Sequence, residues 1–424
     1  MGAKVFSVAC TLFQVPLALH YLGTEAYGFW ITLVGIVLIL NTVDFGLGVG
    51  MQHAMATAFG TDDAESMKRS FWTGACVLGI LGAAVLVVGL PVAHFGSWAD
   101  VFHIRDPELR AETGTALAVS IASFVVALPF NAVARLGFAV QRGWINAGWI
   151  AAGSAISLAL VASAAHWRWG FLWFLAASLL VPTLQGAGLF IHLLGVLKWN
   201  LRPSRLAPAR EIRGMLRSSL YFAFPQFGLA LIQSVPPLAI SVAAGSSYVT
   251  GYNLLIRLFS PFQQGQQILL GPVWPAYTEA QAKADHSWVE RTFWRTVLAS
   301  GAFAAALAVV AWQSHRLLLL WVGHSADIVS PALAVLVAAW CLLQMAAQPS
   351  IFYLMGVGRL RQLAWAGTPG LLLTAAALFW GARGGTVHGV LVVGSATLGI
   401  TVLPPLLWEA SRALRLRGEG GARA

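Results

Sequence analysis

The sequence predicts an all-α integral membrane protein with about twelve transmembrane helices. Of its 424 residues, 58% are hydrophobic and only 10% are charged, and long apolar runs recur from one end of the chain to the other. A soluble domain has about 25% charged residues. Because a helix needs about 20 mainly apolar residues to cross a bilayer, each of these runs is long enough to span a membrane. We therefore expect a protein surrounded largely by lipid.

Twelve spans can be marked along the chain. They cover residues 2–21, 27–48, 71–93, 114–138, 144–165, 170–197, 218–243, 250–275, 294–313, 329–353, 362–381 and 386–408. The longest polar connection contains one lysine and five arginines and falls near the middle of the chain. The sequence thus predicts an N-lobe with helices 1–6 (1–197), a basic linker (198–217), a C-lobe with helices 7–12 (218–410) and a basic tail (411–424).

The two halves share a weak internal repeat. Matched residues lie 222 or 223 positions apart: Gly23 and Gly245, Gly48 and Gly271, Asp62 and Asp285, Arg69 and Arg291. Pro129 and Pro349 each lie in the fourth span of their half. Six helices in each half have the same orientation, which predicts parallel repeats about a pseudo-twofold axis along the membrane normal. Transporters of this architecture have their site between the lobes.

The basic residues predict the orientation in the membrane. Nineteen of the 26 Lys and Arg residues lie on the side of the two termini, and five lie opposite. The positive-inside rule then places both termini and the linker in the cytoplasm. The net charge of +10 is mainly a topology signal, so we expect no nucleic-acid partner. The basic connections should instead lie against anionic lipid headgroups.

No pattern of residues indicates an enzyme. The segment GLGVG lacks the spacing and the βαβ unit of a dinucleotide site, and there is no P-loop, HExxH motif or nucleophile elbow. The three cysteines, Cys10, Cys76 and Cys341, are far apart in apolar surroundings and predict neither a disulfide framework nor a metal site. We therefore expect no catalytic residue and no bound metal.

Polar residues inside the spans are the candidate functional site. One face of span 8 carries polar residues at helical spacing: Asn253, Arg257, Ser260, Gln264 and Gln267. A second stripe lies in span 2: Asn41, Asp44, Gly48 and Gln52. A polar stripe facing lipid would be costly, and spans 2 and 8 hold equivalent places in the two halves. We therefore expect both stripes to line one central cavity.

Two interpretations of the charged residues stay open. Either Asp44 pairs with Arg257 or Arg135 as a buried structural bridge, or the arginines receive an anionic group while Asp44 balances or switches their charge. Arginine suits phosphate because its planar fork donates two hydrogen bonds. Arg135 lies near a cytoplasmic end, where it can also reach the headgroups. His53 faces inward only if the glycine-rich helix bends.

Several segments resemble one known family. The segments YLGTEAYGFW (21–30) and DFGLGVGMQH (44–53) are similar to the span 1–2 signature of bacterial lipid-linked oligosaccharide flippases of the Wzx type. That family belongs to the superfamily of the MATE exporters and the lipid II flippases. The segments AISVAAGSSYVTGYNLLIRLF, LLLLWVGHSADIVSPALAVL and GVGRLRQLAW resemble later parts of the family. The similarity covers nearly the whole chain.

The resemblance implies a V-shaped, two-lobed transporter of the bacterial inner membrane. Its implied substrate is an undecaprenyl-pyrophosphate-linked oligosaccharide, passed to the periplasmic leaflet by alternating access through a cationic cavity. Arg257 matches the family's Tyr-to-Arg pattern and Asp44 its Asp-x-Gly-Leu motif. His53 departs from the family, which often has a basic residue there, and span 1 lacks the cavity arginine of lipid II flippases. We expect no cofactor, coupling to a proton or sodium gradient, and a polysaccharide polymerase and glycosyltransferases as partners.

Two other functions stay open. A MATE-like ion-coupled exporter of small molecules would share the architecture, but it would favour intramembrane acids, whereas this chain has more cationic than acidic candidates. A membrane glycan polymerase or transferase usually carries a large extracytoplasmic loop with catalytic acids or arginines. The longest such loop predicted in this chain, 94–113, is of modest size.

Overall fold

The protein is nearly all-helical and divides into two compact units. A computed structural model describes residues 2–41, 47–197, 228, 231–283 and 285–421. The units are Met1–Gln226 and Phe227–Ala424. The predicted linker at 198–217 lies outside the described residues.

The first unit is built on seven described helices. They are α1 (Gly2–Leu40), α2 (Leu47–Gly60), α3 (Ala64–Phe95), α4 (Trp98–Val101), α5 (Pro107–Ala139), α6 (Gly143–Trp167) and α7 (Phe171–Leu197). Helix α1 consists of two helices that meet at Gly23, where φ is 75° and ψ is 175°. This conformation is open essentially to glycine alone. The two halves of α1 therefore correspond to predicted spans 1 and 2. Helix α5 packs against α3 and α7, and α6 packs against α1 and α7.

The second unit is organised around one central helix. Its described helices are α8 (Leu231–Ala244), α9 (Ser246–Leu270), α10 (Val273–Ala282), α11 (His286–Trp312), α12 (Ser314–Val322), α13 (Pro331–Gly356), α14 (Leu360–Ala382), α15 (Val387–Thr401) and α16 (Leu403–Gly421). A short 3₁₀ helix, Gly323–Ile328, precedes α13. Helix α13 contacts α9, α10, α11, α15 and α16, and its aromatic and aliphatic side chains form much of the core of this unit.

The described helices agree with the predicted membrane fold. Nine segments within the described ranges are long and apolar enough to cross a membrane. One of them holds two predicted spans, because α1 is interrupted at Gly23. Helix α8, described from Leu231 only, is shorter, and α9 is long but too polar to count by hydropathy. The prediction of about twelve helices is consistent with these segments.

Helices α3 and α11 begin with the same kind of aspartate cap. Asp63 accepts a hydrogen bond from the Ser66 amide, and Asp285 accepts one from the Trp288 amide, both at 2.9 Å. Each carboxylate thus satisfies an amide of the first helical turn. The repeat spacing predicts that Asp62 is equivalent to Asp285, which is wrong, because Asp62 lies in the preceding turn with φ of 56°. Asp63 is the structural equivalent, which makes the spacing 222 residues, as it is for Gly23 and Gly245.

Candidate functional site

The polar stripe predicted in span 8 lies on α9, which is described from end to end. Exposure increases along the stripe. Asn253 is buried, with 7% of its surface exposed, and Arg257, Ser260 and Gln264 are partly buried. Gln267, at the far end, is exposed. Arg257 is the one charged residue in the sequence of α9, so the polar face of this helix is cationic.

The Arg257 side chain makes no ion pair and donates no hydrogen bond within the described ranges of the chain. Its Nε atom is buried and has no acceptor there. A buried cationic N–H group without an acceptor is energetically costly. In the described part of the chain this guanidinium therefore has no group that compensates its charge. The predicted pairing of Arg257 with Asp44 stays a prediction, because Asp44 lies outside the described residues.

Ser260 has a structural task within α9. Its hydroxyl donates a hydrogen bond of 3.1 Å to the backbone carbonyl of Arg257. Pro261 lies four residues after Arg257 and has no N–H group, so this carbonyl lacks its usual helical donor. Ser260 replaces the missing donor. Its proton is thus used inside the helix, and only its oxygen lone pairs are left for a ligand.

Gln266 is a polar residue of α9 that the stripe did not include. Only 1% of its surface is exposed, and its Nε2 atom donates a hydrogen bond of 2.8 Å to the carbonyl oxygen of Met345 on α13. Met345 lies four residues before Pro349, so its carbonyl also lacks a helical donor. Two adjacent polar residues of α9 thus differ in role, because Gln267 is exposed while Gln266 joins α9 to α13.

Asn41 borders a cavity inside the first unit. The cavity has a volume of about 210 Å³ and lies among the end of α1 and helices α5, α6 and α7. Its polar lining consists of amides and one hydroxyl: Asn41, Ser123, Asn131, Asn146 and Gln185. The Asn131 Nδ2 atom donates to Asn41 Oδ1 at 3.3 Å, and Asn41 Nδ2 donates to the Val37 carbonyl at 2.9 Å. Within the described residues no ionisable side chain lines this cavity.

The other predicted residues of the first unit lie elsewhere or outside the description. Arg135 on α5 and Gln52 on α2 are both partly buried, and neither is on the cavity wall. Arg135, like Arg257, has no ion-pair partner among the described residues. His53 lies on α2, but its side chain is outside the description. The stripe predicts one helix across 27–48; the structure describes α1 to Leu40 and α2 from Leu47, and residues 42–46 lie outside the description, so the span 2 stripe stays a prediction.

The two candidate regions, the α9 face and the amide-lined cavity, therefore lie in different units. The α9 face with Arg257 belongs to the second unit, and the amide-lined cavity belongs to the first. A central cavity shared by spans 2 and 8 stays a prediction. In the described portion of the chain, no three His, Cys, Asp or Glu side chains are grouped so that they could hold a metal ion.

Comparison with known proteins identifies the fold. No protein-family model and no curated protein sequence matches the chain. Solved structures do match. The inward-facing conformation of a multidrug resistance MATE family transporter of the MOP superfamily aligns with a TM-score of 0.79, at 15% identity, over 97% of this chain and 96% of that chain. The chain has the fold of a MATE transporter.

Two further transporter structures agree over nearly the full length. The outward-facing conformation of a multidrug resistance MATE family transporter aligns with a TM-score of 0.58 at 16% identity, over 98% of this chain and 97% of that chain. A MOP superfamily transporter from Pyrococcus furiosus Vc1 (DSM3638) aligns with a TM-score of 0.59 at 15% identity, over 98% and 96%. For that protein, the reverse polarity of the binding pocket suggests a different function. The predicted all-α, MATE-like fold of a multi-pass membrane protein is thus confirmed.

Proposed function

We propose that the protein is a flippase that moves an undecaprenyl-pyrophosphate-linked oligosaccharide from the cytoplasmic to the periplasmic leaflet of the bacterial inner membrane. The observation that carries this proposal is the Arg257 guanidinium. It lies partly buried on the polar face of α9, and its buried Nε has no acceptor in the described part of the chain. The MATE-type fold supports a transporter, and the Wzx-like segments support the class of substrate.

The chemistry of the polar face fits a pyrophosphate-linked glycan. A guanidinium can donate two parallel hydrogen bonds to phosphate oxygens, and such charge-assisted bonds are stronger than neutral ones. Gln264 lies two helical turns beyond Arg257 on the same face, and Gln267 lies three residues further. Their amides can both donate to and accept from sugar hydroxyls. In this proposal Arg257 binds the pyrophosphate, and the neutral residues contact the glycan.

Several features of the transport cycle belong to the same proposal. Both termini are cytoplasmic, and the basic connections contact anionic lipids. Asp44 couples alternating access to a proton or sodium gradient, or balances the charge of the arginines. A polysaccharide polymerase and glycosyltransferases act on the same glycan on either side of the membrane.

A MATE-like exporter of small molecules is the second candidate. It is favoured by the TM-score of 0.79 with a multidrug resistance transporter. The charge of α9 argues against a cationic drug, because Arg257 would repel it. The Pyrococcus furiosus protein, whose pocket polarity is described as reversed, supports the view that pocket charge distinguishes functions within this fold.

Flipping by the purified protein in proteoliposomes tests the proposal. The substrate is a fluorescent undecaprenyl-pyrophosphate saccharide, and a membrane-impermeant quencher reports the leaflet. Arg257→Ala should lower the rate about tenfold or more, since a hydrogen bond to a charged group is worth about 1.5–3 kcal/mol. Arg295→Ala, an exposed arginine of α11, is the matched control and should flip normally.

The alternative predicts a different result in the same vesicles. An exporter would move a cationic dye against an imposed gradient and leave the lipid-linked saccharide in its original leaflet. A normal flipping rate in Arg257→Ala would refute the role given to this arginine.

A further inference from the structure

The cavity in the first unit has a mainly apolar wall that includes four amide side chains and four aromatic rings. Asn131 and Phe130 come from α5, Asn146 and Trp149 from α6, and Gln185 from α7. Asn146 is 3% exposed, and its Nδ2 atom donates to the Ala134 carbonyl at 2.8 Å. The three helices therefore each contribute a hydrogen-bonding group to the same small space.

Several wall side chains fill space that glycines on neighbouring helices leave open. Four of these side chains lie against a glycine of a neighbouring helix, where a Cβ atom would overlap with them: Gln185 against Gly153, Trp149 against Gly188, Phe130 against Gly186 and Asn146 against Gly137. Small residues at such positions let helix backbones approach closely in a membrane. The wall is thus fixed by packing between α5, α6 and α7, which is the kind of support that a binding site needs.

Part of the hydrogen-bonding capacity of the wall is unused. Asn131 donates to Asn41, which leaves its Oδ1 atom as an acceptor. The Gln185 amide forms no side-chain hydrogen bond in the part of the chain that the structure describes, so it offers both a donor and an acceptor. Trp149 is held by a bond of 3.4 Å from its Nε1 atom to His192 Nδ1.

The size and charge of the cavity restrict its ligand. Its volume of about 210 Å³ is below the roughly 300 Å³ at which pockets for drug-sized molecules begin. The described wall has no charge to compensate a phosphate or an organic cation, and burying an unpaired charge is costly. The cavity is partly open, and two of its wall residues, Phe138 and Ile150, are 49% and 54% exposed.

We propose that this cavity is a subsite for one uncharged sugar ring of the transported glycan. A pyranose ring carries hydroxyls that both donate and accept hydrogen bonds, which the Asn131 and Gln185 amides complement. Its C–H groups can pack on the electron-rich face of an aromatic ring such as Trp149. This inference rests on the proposed function, which makes a glycan the cargo.

Saturation-transfer NMR on the full chain in nanodiscs tests the subsite. The probes are methyl glycosides of glucose, galactose, mannose, rhamnose and N-acetylglucosamine. The wild type should bind at least one of them, and Gln185→Leu and Asn131→Leu should each weaken that binding about tenfold, as expected for a lost hydrogen bond in an apolar setting. Gly153→Ala should act like Gln185→Leu, because its Cβ displaces the amide.

Two controls separate this inference from the proposed function. Gly148→Ala lies on the same helix, with no atom near the added Cβ, and should bind the glycoside normally. Arg257→Ala should also bind it normally while losing flipping. Glycoside binding by a protein that flips no lipid-linked saccharide would refute the function and leave the subsite. Normal flipping without binding of any probe would refute the subsite alone.

A sodium site is the result that would replace the proposal. Amide oxygens can also coordinate a monovalent cation, and Asp44 follows Asn41 by three residues. Sodium-23 relaxation that responds to Gln185→Leu, in a protein that binds no glycoside, would overturn the sugar assignment.

Discussion

Gln266 on α9 donates a hydrogen bond of 2.8 Å to the carbonyl oxygen of Met345 on α13. This is the carbonyl that a helical N–H at position 349 would normally bond, and position 349 is proline. Both residues are only 1% exposed, so bulk water does not reach either partner. A side chain of α9 therefore supplies the hydrogen bond that the backbone of α13 lacks at Pro349.

Removing the Gln266 amide should destabilise the second unit. In Gln266→Leu the Met345 carbonyl is buried without a donor, at a cost of about 1–3 kcal/mol in the free energy of unfolding. Reversible unfolding in SDS micelles measures this quantity. Gln267→Leu changes the adjacent exposed residue and should have little effect.

Restoring the backbone donor should cancel the defect. Pro349→Ala returns an N–H group at the position that faces the Met345 carbonyl. The double variant with Gln266→Leu should then be more stable than the two single effects predict, with a coupling energy of about 1 kcal/mol or more. Strict additivity of the two changes would contradict this interpretation.

Alanine at Gly23 or at Gly245 should strain the backbone between the first two helical segments of its unit. The φ angles are 75° and 102° and the ψ angles are 175° and 162°, and this region costs a non-glycine residue about 1–3 kcal/mol. No atom lies near an added Cβ at Gly23, so the loss comes from the backbone alone. Thermal unfolding in detergent should show a lower midpoint for both variants. Gly79→Ala on α3, also free of nearby atoms, should be neutral or stabilising.

Much of the fold could be predicted because it depends on local signals. Apolar runs locate the helices, and the repeat spacing marks Gly23 and Gly245 as equivalent before any backbone angle is known. The predicted match of Asp62 to Asp285 is wrong by one residue. Asp62 and Asp63 are adjacent, and only the backbone conformation decides which of them caps α3.

The candidate site also has one part that local sequence signals predict and one part that they do not. The α9 stripe could be predicted because its residues recur along a single helix. The amide cavity could not, because Asn131, Asn146 and Gln185 are isolated polar residues on three different helices. Only the packing of α5, α6 and α7 brings them together. Gln266 was missed for a related reason, since its partner is a backbone carbonyl on another helix.

Alanine at Gly137 should loosen the contact between α5 and α6. Its Cβ would overlap with the Asn146 amide, which bonds the Ala134 carbonyl one turn earlier. We expect a loss of about 1–3 kcal/mol in the free energy of unfolding, the usual range for overpacking. SDS unfolding should show this loss for Gly137→Ala and not for Gly148→Ala, whose Cβ meets nothing. Equal stability of the two variants would argue against the interlocked wall.

The cap of α11 should weaken in acid. The Trp288 amide, followed by the Ser287 hydroxyl, lowers the pKa of Asp285 below its ordinary value. The cap's contribution to stability is therefore present above the unfolded pKa of about 3.9 and is lost as the pH falls through the lower folded value. The protection factor of the Trp288 amide, which is corrected for the slower intrinsic exchange in acid, should fall below about pH 4 in the wild type. Asp285→Asn, which caps without titrating, should show no such change when the two proteins are compared at equal pH.

Glu25, two residues after the break at Gly23, accepts a hydrogen bond of 2.6 Å from the backbone amide of Arg105. The partner is main chain, so the bond depends on the identity of residue 25 and not on that of residue 105. Among natural variants, position 105 should therefore drift freely among all amino acids except proline. Position 25 should retain a side chain with an oxygen acceptor of similar reach.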